Sequence, residues 1–331
     1  MSSQTPESLA DAVLKGERRA IARAITLIES TRPDHRADAD RLLEKLLPHA
    51  GRSIRIGISG VPGVGKSTFI EAFGNHVIDQ GHRIAVLAVD PSSKRSGGSI
   101  LGDKTRMETL SVNQGAYIRP SPAGRTLGGV ARRTREAMLI CEAAGFNVVL
   151  VETVGVGQSE TTVAEMTDLF MLLLLPSGGD ELQGIKKGIV ELADLVLVNK
   201  ADGDMAAAAG RAVAEYKSAL HLLRSAARDW QVPVRSCSAL TGEGIDAAWD
   251  MVADFRRQMT ENGFLDERRR DQNQAWMWNE ISENLLQHLK DSPDLAGDLA
   301  RLEAEVRAGQ QPPVTAARHL VARFLAGPGK M

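Results

Sequence analysis

Short, uninterrupted apolar runs alternate with longer amphipathic stretches through the middle of this chain. Ile54–Ile58, Ile84–Val89, Val148–Val151, Leu169–Leu175, Leu195–Val198 and Val232–Ser236 read as strands. Because they are apolar at successive positions, they are expected to be buried on both faces. That predicts an α/β fold with a mostly parallel central sheet flanked by helices. Helical spacing fills the intervals, as in Thr68–Phe73 with a stop near Gly81, Gly128–Ala144 and Ala206–Leu223. Residues 1–50 also read as helical. Leu9, Val13, Ile21, Ala24, Ile25 and Ile28 recur at helical steps up to a break at Thr31-Arg32-Pro33-Asp34. A second helix through Leu42, Leu43, Leu46 and Leu47 ends near Pro48 and Gly51.

Beyond about residue 260 the pattern becomes helical throughout. Glu267-Arg268-Arg269-Arg270-Asp271 reads as an exposed helix face. Trp276, Met277, Trp278, Ile281, Leu285, Leu286 and Leu289 then recur near helical spacing. The expected organisation is an N-terminal helical extension (1–50), an α/β domain (51–260) and a C-terminal helical arm (261–331). For the arm, a docked appendage and a dimerisation surface both remain open.

Composition narrows the class. The chain has 331 residues, 43% hydrophobic and 25% charged, with a formal net charge of −2. No basic excess points to nucleic acid or to a membrane surface. The run Leu169–Leu175 is far too short to span a bilayer, and no signal peptide is evident at the N-terminus. Cys141 and Cys237 lie far apart and form no Cys-x-x-Cys pair. A reducing cytoplasmic setting is therefore expected.

The chemistry centres on Gly60-Val61-Pro62-Gly63-Val64-Gly65-Lys66-Ser67-Thr68, set between a predicted strand and a predicted helix. Gly60, Gly63, Val64 and Gly65 would let backbone N–H groups converge on phosphate oxygens, aided by the first turn of the helix at Ser67 and Thr68. Lys66 would reach the outer phosphates, and the Ser67 hydroxyl would take a position on Mg²⁺.

In a parallel sheet, ligands gather at the carboxyl ends of strands, where this chain places its polar residues. Asn199-Lys200-Ala201-Asp202 follows an apolar strand, and one carboxylate, Asp202, can accept both guanine N1–H and the N2 amine. Asn199 can tie this loop to the phosphate loop, and the Lys200 stem can lie along the purine. Ser238-Ala239-Leu240 would offer backbone to the guanine O6. Glu152 ends another strand and can hold Mg²⁺ directly or through water, with the Gly155 N–H near the γ-phosphate. Ras-like GTPases orient water with a Gln just past that glycine. Here the residue is Val156 and the nearest Gln is Gln158, so slow intrinsic turnover is expected. Residues 90–106, with Asp90 and Asp103, read as a switch segment. Residues 177–188, with Asp180, Glu181, Gln183, Lys186 and Lys187, read equally as a solvated loop or as a contact for phosphate or a partner.

These segments resemble the MeaB/ArgK family of P-loop GTPases over nearly the whole chain. The stretches carrying the resemblance are GVPGVGKSTFIEAFG, LAVDPSSKRSGGSILGDKTRM, RPSPAGRTLGGVARRTREAM, VETVGVGQSE, LPSGGDELQGIKKGI and LVNKADGD. The resemblance implies a P-loop NTPase domain binding GTP and GDP with Mg²⁺. Ser67, Asp90, Asp103 and Glu152 would be metal ligands, and Lys66, Glu152 and Asp90 would be catalytic. It also implies a homodimer formed through the arm. Residues 177–188 would communicate with an adenosylcobalamin-dependent methylmalonyl-CoA mutase, whose cofactor loading the GTPase gates. Three alternatives stand beside it. A nickel- or zinc-inserting GTPase is disfavoured by scattered histidines and isolated cysteines. A small-molecule or protein kinase is disfavoured by the guanine-reading tetrapeptide. A pure switch would hardly hydrolyse GTP at all.

Overall fold

The structure, a computed structural model, describes residues 5–30, 32–89, 107–120, 127–153, 159–176, 187–221 and 230–326. Seven strands form one sheet: β1 (Ile54–Gly60), β2 (Ile84–Val89), β3 (Ala116–Arg119), β4 (Val148–Thr153), β5 (Leu169–Leu174), β6 (Leu195–Val198) and β7 (Val234–Ser236). Their order is β3-β2-β4-β1-β5-β6-β7, and every pairing is parallel. The apolar runs are continuous because both faces are covered. Ile54, Ile56 and Ile58 pack against Phe69, Ile70 and Phe73 on one side, while Val149 and Val151 join a second cluster on the other. Each such side chain contributes about 1.5–3 kcal/mol of burial.

Strand β3 was not anticipated. Its four residues, Ala116-Tyr117-Ile118-Arg119, occupy the sheet edge beyond β2, and only the first three are apolar, a run too short to stand out. The N-terminal region also departs from the expected two helices. It forms three, α1 (Pro6–Leu14), α2 (Arg18–Glu29) and α3 (Pro33–Leu46). Gly16 ends α1 with φ +74°, and the bonds Gly16 N to Val13 O and Glu17 N to Ala12 O close the helix in a left-handed cap. Apolar spacing continues across this corner, which hides it in the sequence. All three helices pack on the helix Leu127–Ala143 and share its apolar cluster.

The amino edge of the sheet is tied by buried charges. Asp168 and Asp194 stand immediately before β5 and β6, at 0% and 2% side-chain exposure. Each accepts a backbone N–H from the neighbouring strand, Arg55 N at 2.8 Å and Phe170 N at 2.9 Å. Arg269 grips Asp168 with two nitrogens (2.7 and 2.6 Å) and also donates to Gly51 O and Ser53 O. Arg268 donates to Asp194 at 3.2 Å. Arg55 in turn grips Glu142 through two bonds of 2.7 and 2.9 Å. Burial pushes the Glu142 carboxyl up, but Arg55, Ser53 and the Gly51 N–H outweigh it and hold the group below the ordinary value. Of the run expected to be an exposed helix face, Glu267, Arg270 and Asp271 are exposed, but the Arg268 and Arg269 side chains turn inward and are only 16% and 18% exposed.

The chain divides into two compact units, Met1–Arg269 and Arg270–Met331. The second comprises the rest of the helix Phe264–Asp291 with the helices Ala296–Arg307 and Pro313–Ala326. Leu295, Leu302 and Ala316 are its buried residues, and Arg323 pairs with Asp298 at 2.7 Å. Met277, Trp278, Leu285, Leu286, Val314 and Leu325 are each more than half exposed.

Candidate functional site

The loop after β1 leads directly into α4 (Lys66–Asp79). Gly65 caps this helix at φ +91°, a left-handed conformation that a side chain would strain. A Cβ there would also come within 3.0 Å of the Asn199 Nδ2. The first helical bond runs from Phe69 N to Gly65 O, so the N–H groups of Lys66, Ser67 and Thr68 precede the ladder. They stand at the positive end of the helix dipole, where anions are stabilised. Lys66 curls back over the loop, and its ammonium donates to Gly60 O at 2.7 Å and Val61 O at 3.4 Å. Burial draws this ammonium below the ordinary lysine value. Glu152, and after it Glu160, pull the other way.

Two strands away, Asn199 follows β6 and is buried. Its side-chain amide donates to Val64 O at 2.8 Å, and its carbonyl accepts Ala239 N at 3.0 Å. One side chain therefore fastens the glycine-rich loop to two later strand ends. Lys200 has φ +60°, the only positive value for a non-glycine among the described residues, a conformation costing roughly 1–2 kcal/mol. The bonds Ala201 N to Cys237 O and Cys237 N to Val198 O hold that corner. The Lys200 Cε lies 3.8 Å from the Cβ position of Gly65, so its stem runs beside the loop. Asp202 is half-buried and accepts from Ser238 Oγ at 2.6 Å; Ser238 also accepts Thr241 N at 3.2 Å. Leu240 is 80% exposed at the rim.

Glu152 ends the central pairing of β4 with β1, in register with Ile58, and is buried. Just past it, the Thr153 hydroxyl donates to Ser59 Oγ at 2.9 Å, and both residues are buried. Sequence reasoning missed this bond, and it missed Glu160, a buried acid close enough to act on Lys66. The signal for Glu160 was present in VETVGVGQSE, the stretch already singled out for Glu152.

The structure thus brings Gly60, Gly63, Val64, Gly65, Lys66, Ser67 and Thr68 together with Asn199, Lys200, Asp202, Ser238, Ala239 and Leu240 at one edge of the sheet. Asp90, Asp103, Gly155, Val156, Gln158, Asp180, Glu181, Gln183 and Lys186 lie outside the described residues. Lys187 opens the helix Lys187–Glu191. Of the four expected metal ligands, Ser67 and Glu152 are described. They offer a hydroxyl and a carboxylate oxygen, the hard donors that Mg²⁺ takes. Among the described residues no three His, Cys, Asp or Glu side chains gather as a metal cluster.

Residues 21–294 match the family described as methylmalonyl Co-A mutase-associated GTPase MeaB. The chain belongs to the MeaB family of GTPases. It is 57% identical to a putative GTPase of Caulobacter vibrioides, covering 96% of this chain and 97% of the relative. It is 50% identical to GTPase ArgK of Escherichia coli, covering 83% of each chain. It is also 50% identical to the mouse protein named methylmalonic aciduria type A homolog, mitochondrial, covering 94% of this chain and 78% of that one. A solved structure described as LAO/AO transport system kinase superposes with a TM-score of 0.77 at 39% identity, covering 99% of both chains. As a member of this GTPase family, the chain binds guanine nucleotide and hydrolyses GTP.

Proposed function

We propose that this MeaB-family chain is a Mg²⁺-dependent GTPase acting as chaperone to an adenosylcobalamin-dependent methylmalonyl-CoA mutase. It would gate cofactor loading and protect the mutase from inactivation. The observation that carries the nucleotide part is the Asn199 side chain, bonded at once to Val64 O and Ala239 N. A change at the phosphates reaches the base-reading corner through a single amide. The mutase part rests on the family's own description and on the name of the mouse relative.

In this reading Asp202 accepts from the guanine edge, Ser238 fixes the rotamer of Asp202, and the backbone of Ser238-Ala239-Leu240 meets the guanine O6. The N–H groups of Gly63, Val64, Gly65, Ser67 and Thr68 hold the phosphates. Lys66 exchanges its carbonyl partners for phosphate oxygens. It arrives charged and partly desolvated, so its attraction for developing charge is stronger than in water. Ser67 and Glu152, with Asp90 and Asp103, would hold Mg²⁺, which would neutralise charge on the outer phosphates. Hydrolysis would proceed by direct attack of water, since no described side chain at this site is placed as a covalent nucleophile.

The exposed apolar residues of the second unit, Trp278 and Leu285 among them, suit a homodimer interface. Residues 177–188 would carry the nucleotide state to the mutase. Two free, buried cysteines fit a reducing cytoplasm. No described helix is long and apolar enough to cross a membrane. The test is GTP hydrolysis by the pure protein with and without an equimolar methylmalonyl-CoA mutase. Slow turnover strongly accelerated by the mutase is expected. An unchanged rate would remove this mutase as the client and leave the GTPase standing.

A further inference from the structure

The two central strands part company at the functional edge. The β1–β4 pairing runs from Ile54 opposite Val148 to Ile58 opposite Glu152. Beyond that point β1 leans on β5, through Gly60 opposite Leu173, and β4 leans on β2, through Val89 opposite Thr153. The next link between β1 and β4 is a side-chain bond, from the Thr153 hydroxyl to Ser59 Oγ at 2.9 Å. Both residues are almost fully enclosed, at 0% and 2% exposure.

A pair of valines would bury more apolar area at this spot, as Val149 and Val151 do earlier in β4. A hydroxyl pair stabilises one separation and one orientation instead, because a lost partner leaves a buried polar atom unsatisfied. Threonine adds stiffness, its branched Cβ restricting χ1. Each hydroxyl is next in sequence to a working group. Thr153 follows Glu152, and Ser59 precedes Gly60, whose carbonyl accepts from Lys66.

We propose that Ser59 and Thr153 are positioning residues for GTP hydrolysis, a buried hydroxyl staple that sets Glu152 at a fixed distance from the phosphate loop. The inference rests on the reading that Glu152 serves the phosphate side of the nucleotide. Buried and bonded to each other, Ser59 and Thr153 would act through the strand ends.

The test uses the full chain with Thr153→Val and Thr153→Ser. Thr153→Val lowers kcat about tenfold, the scale at which outer partners of a working group act, while KM for GTP and affinity for GDP stay within about twofold. Thr153→Ser, which keeps the hydroxyl, restores kcat. In the nucleotide-free protein, hydrogen exchange quickens at the Gly60 and Thr153 amides in the Val variant and not in the Ser variant. Ser59→Ala gives the same pattern and serves where Thr153→Val fails to fold. An unchanged kcat in both variants overturns the proposal. So does a loss of GDP affinity in step with kcat, with exchange rising evenly over the sheet, since that is mere destabilisation. Glu152→Gln tests the underlying reading separately. If it leaves kcat intact, the role of Glu152 falls; if it lowers kcat while Thr153→Val does not, only the staple falls.

Discussion

The two edges of the sheet hold the same kinds of charge and use them oppositely. At the amino edge, Arg268, Arg269 and Arg55 are matched to Asp194, Asp168 and Glu142, with backbone N–H groups completing the carboxylates. At the carboxyl edge, Lys66 rests on two loop carbonyls, Asn199 and Thr153 bind by neutral hydrogen bonds, and Asp202 is held by a single serine hydroxyl with no cation bonded to it among the described contacts. Carbonyl partners of an ammonium are easily exchanged for phosphate. A doubly bonded buried carboxylate is not exchanged for anything. Charge is spent on holding at one edge and kept available for chemistry at the other.

That contrast can be broken or sharpened by substitution. The largest expected effect is at Lys66. Lys66→Ala lowers single-turnover GTP hydrolysis by about 100- to 1,000-fold or more while the melting temperature barely moves. Near-normal turnover would contradict the site assignment. At the opposite edge the sign reverses. Arg269→Met leaves the Asp168 carboxylate buried without its main partner and costs about 3–5 kcal/mol of stability, read from denaturant unfolding, with GTP affinity retained. A variant that melts normally yet loses nucleotide would erase the distinction between the edges.

A smaller effect is expected at the corner proposed to read the base. Asp202→Asn narrows the preference for GTP over ATP by about 10- to 100-fold, the scale of a lost charge-assisted bond, measured by competition binding. Unchanged selectivity would remove Asp202 from that role. The smallest effect concerns acid. The Glu142 carboxyl lies below its ordinary value of 4.5 when folded, so its stabilising share is present above that value and is lost as pH falls through the folded pKa. Glu142→Gln should therefore flatten the fall of stability with acidification below about pH 4.5. An identical slope in both proteins would show that the Arg55 pair carries no acid sensitivity.

How far the sequence could be read follows from the range of each interaction. The glycine-rich loop, its lysine and the following helix are local, and β1, β2, β4, β5 and β6 announce themselves as apolar runs. β3, with three apolar residues, is too short to do so, and the α1–α2 corner hides inside continuing helical spacing. Arg268 and Arg269 read as surface charges because their partners lie 74 and 101 residues earlier. The hydroxyl staple spans 94 residues and joins two residue types that usually mean nothing in a strand. Asn199 was legible because its tetrapeptide carries a recognisable chemistry, including its tie to the phosphate loop at Val64; its bond to Ala239 depends on the strand order.

The central place of β1 also has a consequence for synthesis. This strand, the first of the sheet in chain order, pairs only with β4 and β5, and its loop is fastened by Asn199, which Ala239 holds in turn. At about 5–20 residues per second, roughly ten to forty seconds separate the emergence of the phosphate loop from that of its last fastener. A nascent chain thus carries the whole glycine-rich loop long before it can grip a nucleotide. The fastening of the loop is thereby tied to completion of the sheet.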